Sequence, residues 1–111
     1  MSTRLLQINY RLNIPLETFR REFGPAAREI ADVPGLRWKL WIAGSGGSEG
    51  GGIYVFDDEA SLDAYLQGPI VAALRSHPAF SDLSVKTFEI LEDESAVTRG
   101  PVGAPAETAN R

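Results

Sequence analysis

Apolar and polar residues alternate cleanly with period two in the first of four strand-like stretches of this chain, and helical periodicity fills the gaps after the first and third. That order, β-α-β-β-α-β, restricts the possible folds more than any other feature. In Arg4 to Leu12, residues Leu6, Ile8, Tyr10 and Leu12 share one face while Gln7, Asn9 and Arg11 share the other. Leu36 to Ile42 sets Leu36, Trp38, Leu40 and Ile42 against Arg37, Lys39 and Trp41. Ile53 to Phe56 reads as a third short strand, and Val85 to Leu91 as a fourth. Between the first two strands, Pro15 suits the first turn of a helix, and Leu16, Phe19, Phe23 and Ile30 recur at three- and four-residue steps. Pro25 lies inside that pattern and predicts a kink. After the third strand, Asp57 is placed to cap a second helix carrying Leu62, Tyr65 and Leu66. Pro69 restarts a short helical turn, and His77-Pro78 ends it.

The expected fold class is α+β: a ferredoxin-like βαββαβ arrangement with a four-stranded antiparallel sheet and both helices on one face. Residues 1–94 are read as this single domain. From Ser95 to residue 111 the chain is rich in Gly, Pro, Ala and Thr without apolar period, and is read as a disordered tail. The run from Gly44 to Gly52 predicts a long, flexible hairpin loop. It is no phosphate cradle: it lacks a GK[ST] ending and precedes a strand rather than a helix.

Composition removes several functions. Eleven Lys and Arg against fifteen Asp and Glu leave a net charge of −4, which disfavours a nucleic-acid partner. There is no cysteine and one histidine, so disulfides, thiolate chemistry and an ordinary structural zinc site are excluded for one chain, and no metal site is expected. Neither a membrane-spanning apolar segment nor a signal peptide is read, and a cytoplasmic protein without a membrane partner is the expectation.

Helices cover one face of the expected sheet. On the other, Trp41, Phe88 and one of the pairs Tyr54/Phe56 or Ile53/Val55 would form an apolar patch too wide to leave in water. A second copy of the chain is the economical cover. Two sheets meeting face to face would enclose a chamber on which Gln7, Asn9, Lys39 and aromatic rings converge.

Within that chamber the candidates divide. His77 is the natural general base by its ordinary pKa, although a surface histidine before Pro78 is the blander and favoured alternative. Lys39 and Trp41 suit an anionic or aromatic ligand, through charge and stacking, or else an interface plug with the lysine stem along it. Asn9 and Gln7 offer amide donors for an oxyanion or enolate, or hydrogen bonds across a dimer. Tyr54 and Phe56 serve as pocket wall or core. Phe88 lies on the chamber side. Trp38, on the Leu36/Leu40 side, reads more as core than as a substrate contact.

The blocks Pro34-Gly35-Leu36-Arg37-Trp38-Lys39-Leu40-Trp41, Gly51-Gly52-Ile53-Tyr54-Val55-Phe56-Asp57-Asp58-Glu59 and Ala64-Tyr65-Leu66 resemble the YdhR-type monooxygenase family. Leu5-Leu6-Gln7 and Val85-Lys86-Thr87-Phe88-Glu89 fit the same resemblance, which runs from Leu5 to about Glu92. Trp38, Lys39, Trp41, Gly51, Gly52 and Tyr54 match the family pattern. The resemblance implies a homodimeric α+β barrel. It also implies a cofactor-independent monooxygenase acting on an aromatic or polyketide-like small molecule, with no bound cofactor. In that setting His77, Lys39 and Asn9 would be the catalytic set, and Gln7, Trp38, Trp41, Tyr54, Phe56 and Phe88 the substrate contacts. A non-oxidative cyclase or isomerase, or a non-catalytic small-molecule-binding barrel, would use the same pocket. Haem ligation by His77 is the remote option.

Overall fold

The computed structural model describes residues 3–102. Its elements are β1 (Arg4–Leu12), α1 (Leu16–Phe23), α2 (Ala26–Ala31), β2 (Leu36–Ala43), β3 (Glu49–Phe56), α3 (Glu59–Leu66), α4 (Pro69–Ser76), β4 (Phe80–Glu89) and α5 (Glu92–Val97). The four strands form one antiparallel sheet in the order β2-β3-β1-β4. This is the expected ferredoxin-like α+β fold. No helix among the described residues is long and apolar enough to cross a membrane.

Period-two patterning on β1 sets the core. Leu6 and Ile8 are fully buried under the helices, with Tyr10 and Leu12 beside them, and Tyr54 and Phe56 of β3 complete the layer. From the helices, Ile30, Leu62, Tyr65 and Val71 close it. Burying such side chains stabilises the fold by about 1.5–3 kcal/mol each before conformational entropy is charged against it. Phe56 is therefore a core residue, and its substrate-contact reading is not supported: no atom of it is exposed.

The first helix is interrupted more than a kink would require. Gly24 and Pro25 keep helical dihedral angles, but the hydrogen-bond ladder lapses there and α1 and α2 are separate. Proline has no N–H to give, so the turn is held by Gly24 N–H to the Arg20 carbonyl and Ala27 N–H to the Gly24 carbonyl. Asp58, not Asp57, caps α3: its carboxylate accepts from the Ser61 N–H at 2.8 Å. Asp57 instead accepts from Arg37 Nε at 2.6 Å. β4 begins five residues earlier than the alternation of Val85 to Leu91 indicates, at Phe80.

Two larger corrections follow from backbone pairing. The glycine run is no long loop: Glu49 to Gly52 pair with β1 as part of β3, leaving a tight turn over 44–48 in which Gly47 has φ +78°. Segment 95–102 is not disordered either. After β4 the chain forms α5, Trp38 Nε1 donates to the Pro101 carbonyl at 2.8 Å, and Arg37 Nη1 donates to the Val102 carbonyl at 3.2 Å. Glu92 is tied to the start of β1, accepting from the Thr3 N–H at 3.0 Å and hydroxyl at 2.7 Å. Lacking apolar period, this segment is invisible to patterning but is held by hydrogen bonds. Residues 103–111 of the expected tail lie outside the described residues.

Candidate active site

Strand β2 carries a bulge that decides where the chemistry sits. Leu36 pairs with Phe56, but Trp38 pairs with Val55, so Arg37 is an extra residue and the face parity changes across it. Leu36 stays on the helix side. Beyond the bulge, Trp38, Leu40 and Ile42 turn to the open face, while Lys39, opposite Tyr54, and Trp41, opposite Gly52, turn under the helices.

The expected chamber is thereby divided. Lys39, Trp41, Tyr54 and His77 line one cleft of about 250 Å3 between the sheet and the helices of a single chain. Gln7, Asn9, Trp38 and Phe88 lie on the opposite face of the sheet. Asn9 and Gln7 cannot act with Lys39 on one ligand, since the sheet stands between them. On the open face Gln7 Nε2 donates to Asn9 Oδ1 at 2.9 Å. Trp38 is neither core nor cleft wall; the 98–102 segment covers it. Phe88 and Leu40 remain 47 % and 54 % exposed on that face.

The cleft is walled by aromatic rings. Phe19 and Phe23 of α1 enter from above, their centroids 5.6 Å apart. Tyr10 and Phe80 close one end edge to face at 4.8 Å. Phe19 approaches Trp41 at 6.3 Å, and Tyr54 and Tyr65 form the inner wall at 5.3 Å. Patterning places Tyr10, Phe19, Phe23 and Tyr65 on core stripes and misses their role as lining, and it leaves Phe80 outside the fourth strand altogether. One signal was available: three tyrosines (10, 54 and 65) at buried positions each carry a hydroxyl that a purely apolar core has no use for.

Lys39 is the polar centre. Its Nζ lies 3.4 Å from the centroid of the Trp41 ring and 4.7 Å from that of Tyr54. No carboxylate among the described residues forms an ion pair with it. Burial in this apolar setting lowers its pKa to about 7, because the ammonium has lost water without gaining a counter-charge. The indole face acts in the opposite direction and favours the ammonium. Both forms of the amine are therefore present near neutrality.

The tyrosines shift the other way. Burial, with repulsion from Tyr65, raises Tyr10 to about 12 and raises Tyr54 as well, while burial raises Tyr65 against a smaller lowering by its bond with Tyr54. The Tyr65 hydroxyl donates to Tyr54 at 3.3 Å. These phenols keep their protons through the neutral range, so they donate hydrogen bonds and do not serve as bases.

His77 ends α4 at the rim of the cleft, its ring edge-on to Phe23 at 5.1 Å. Its Nδ1 accepts from the Ala79 N–H at 3.0 Å. In the neutral ring this leaves the proton on Nε2, so the free nitrogen is a donor. The general-base reading of His77 therefore loses its lone pair to the backbone. Among the described residues no cluster of His, Asp or Glu is placed to hold a metal ion.

Residues 5–101 match the sequence model of the family described as "Putative mono-oxygenase ydhR". The chain belongs to this family. No curated protein matches the sequence. Among solved structures, this chain is similar to NE2512, a protein of unknown function from Nitrosomonas europaea. The TM-score is 0.68 and the identity 22 %, over 82 % of this chain and 91 % of that one. It is similar to SnoaB, a cofactor-independent oxygenase from Streptomyces nogalater, with TM-score 0.65 and 18 % identity, over 82 % and 95 % of the two chains. A monooxygenase from the ActVA-Orf6 gene of Streptomyces coelicolor, solved with the ligand nanaomycin D, gives TM-score 0.63 and 15 % identity, over 80 % and 88 %. At these identities the likeness is one of fold.

Proposed function

We propose that this member of the family is a cofactor-independent monooxygenase acting on an electron-rich aromatic small molecule of the anthrone or polyketide type. The observation that carries the reading is Lys39, an amine that no carboxylate among the described residues pairs with, held between ammonium and free base at the centre of an aromatic slot. The slot has the ring lining for aromatic ligands, and its volume of about 250 Å3 lies just below the usual range of ligand sites.

The chemistry needs a base, an anion site and exclusion of water. The free amine of Lys39 takes a proton from the activated carbon of the substrate, and the resulting ammonium then faces the enolate. Tyr54, whose oxygen accepts from Tyr65, supplies a phenolic donor, and the His77 Nε2–H lies at the rim. The conjugated carbanion transfers an electron to dioxygen, and the radical pair combines to a peroxide. That peroxide loses water to leave a carbonyl. One oxygen atom enters the product, the other leaves as water with the two hydrogens of the oxidised carbon.

The similarity to SnoaB, called a cofactor-independent oxygenase, agrees with this scheme. The exposed Leu40 and Phe88 of the open face suit contact with a second copy of the chain, giving the homodimer that the resemblance implies. The test is turnover of an anthrone by metal-stripped protein under air and under argon. Oxygen-dependent quinone formation is expected, with Lys39→Met slower by about 100- to 10,000-fold. Equal turnover under argon would assign non-oxidative enolate chemistry, as in a cyclase or isomerase. Binding without turnover in either gas would leave a ligand-binding barrel.

A further inference from the structure

Lys39 has a property that proton abstraction does not exhaust. A primary amine in an aromatic-lined cleft, without an ion pair among the described residues, is also a nucleophile. The titratable groups around it do not compete for that role. Tyr10, Tyr54 and Tyr65 retain their protons, Glu29 lines the cleft without pairing with the lysine, and His77 is held at the rim by its bond from Ala79. Walls of Phe19, Phe23, Trp41 and Phe80 select for a ring next to the reacting group.

We propose that the cleft captures aromatic aldehydes and ketones covalently, with Lys39 Nζ forming an imine to the carbonyl carbon of a ligand whose ring lies among Phe19, Phe23 and Trp41. The nitrogen lone pair attacks the carbonyl carbon and a carbon–nitrogen bond forms. The carbonyl oxygen leaves as water, carrying the two hydrogens that the amine gives up. Nothing is oxidised or reduced. The Tyr54 ring, 4.7 Å from Nζ, belongs to a phenol that stays protonated and can donate to the departing oxygen. A residence near pKa 7 keeps a substantial fraction of the amine nucleophilic at neutral pH, whereas an ordinary lysine is almost wholly ammonium there. The inference goes beyond the oxygenase reading and needs no dioxygen, so it stands or falls separately.

The sequence supplies its own control. The chain has two lysines, Lys39 and Lys86, and Lys86 is exposed on the open face of the sheet. The full chain is incubated at pH 7 with 2-naphthaldehyde and cyanoborohydride, which fixes the imine as a stable secondary amine, and the adducts are mapped by peptide mass. Labelling of Lys39 at least about tenfold faster than Lys86 is expected, with formaldehyde, which has no ring, showing a smaller preference. Lys39→Arg should remove the fast adduct and leave labelling of Lys86 unchanged. Equal labelling of both lysines, an unlabelled Lys39, or the same preference with formaldehyde would overturn the proposal. The comparison of two lysines within the unaltered protein does not depend on how a variant folds.

Discussion

Gly52 and Lys39 meet across two strands, and the absence of a side chain at one seats the other. A Cβ at Gly52 would stand 2.6 Å from Lys39 Cε and 3.1 Å from the Tyr54 ring. Gly52 has no positive φ, so the backbone does not require glycine there; the lysine stem does. Gly52→Ala is expected to push the amine out of its slot, lowering turnover about tenfold and moving the rise of the pH–rate profile above pH 7. That rise follows from Lys39 acting as free base: the rate climbs as pH passes through about 7 and then levels, and Lys39→Arg lacks the step. Stability carries the opposite mark of the same burial. The folded pKa lies below the ordinary value of 10.5, so folding with the ammonium buried is penalised below about pH 7, and the penalty fades as pH rises toward 10.5. Lys39→Met should therefore stabilise the protein at pH 6, on the order of a few kcal/mol, with the advantage gone near pH 10.5, as read by denaturant titration at several pH values.

At the scale of the element, β2 shows what patterning can and cannot read. β1 was legible because its apolar residues fall on one face only. In β2 both faces carry large apolar groups, and Arg37 is an extra residue relative to β3. Uniform alternation therefore puts Trp38 under the helices and Lys39 with Trp41 outside, the reverse of the structure. A bulge leaves no trace in hydrophobicity, because it is a property of the pairing with another strand. The return of the chain after β4 was hidden for a related reason: hydrogen bonds to Trp38 and Arg37 hold it, and those leave no apolar period. Trp38→Phe removes one of these bonds, leaving the Pro101 carbonyl without its indole donor, and should cost about 1 kcal/mol. A Tm lower by roughly 4–8 °C is the expected calorimetric result, with Lys39 reactivity unchanged because the indole lies on the far face.

For the whole molecule, the element order was enough to give the four-stranded antiparallel sheet and its helical cover, since antiparallel βαββαβ chains have few ways to bury two helices on one face. It did not give the location of the cleft, which depended on the β2 parity. The consequence reaches assembly. A chamber between two sheets would make the site depend on the dimer, whereas the observed cleft lies between the sheet and the helices within the chain. Phe88→Glu, on the open face, is expected to shift the protein toward monomer in sedimentation at micromolar concentration. Covalent labelling of Lys39 should survive that change.

Selective 15N-lysine labelling observes the centre of the account directly, because Lys39 and Lys86 are the two lysines of the chain. The Lys39 Nζ resonance is expected to titrate near pH 7 and to shift when an aromatic ligand is added. A Lys39 amine that titrates in the ordinary lysine range, with ligand perturbing Gln7 and Asn9 on the open face instead, would contradict the account.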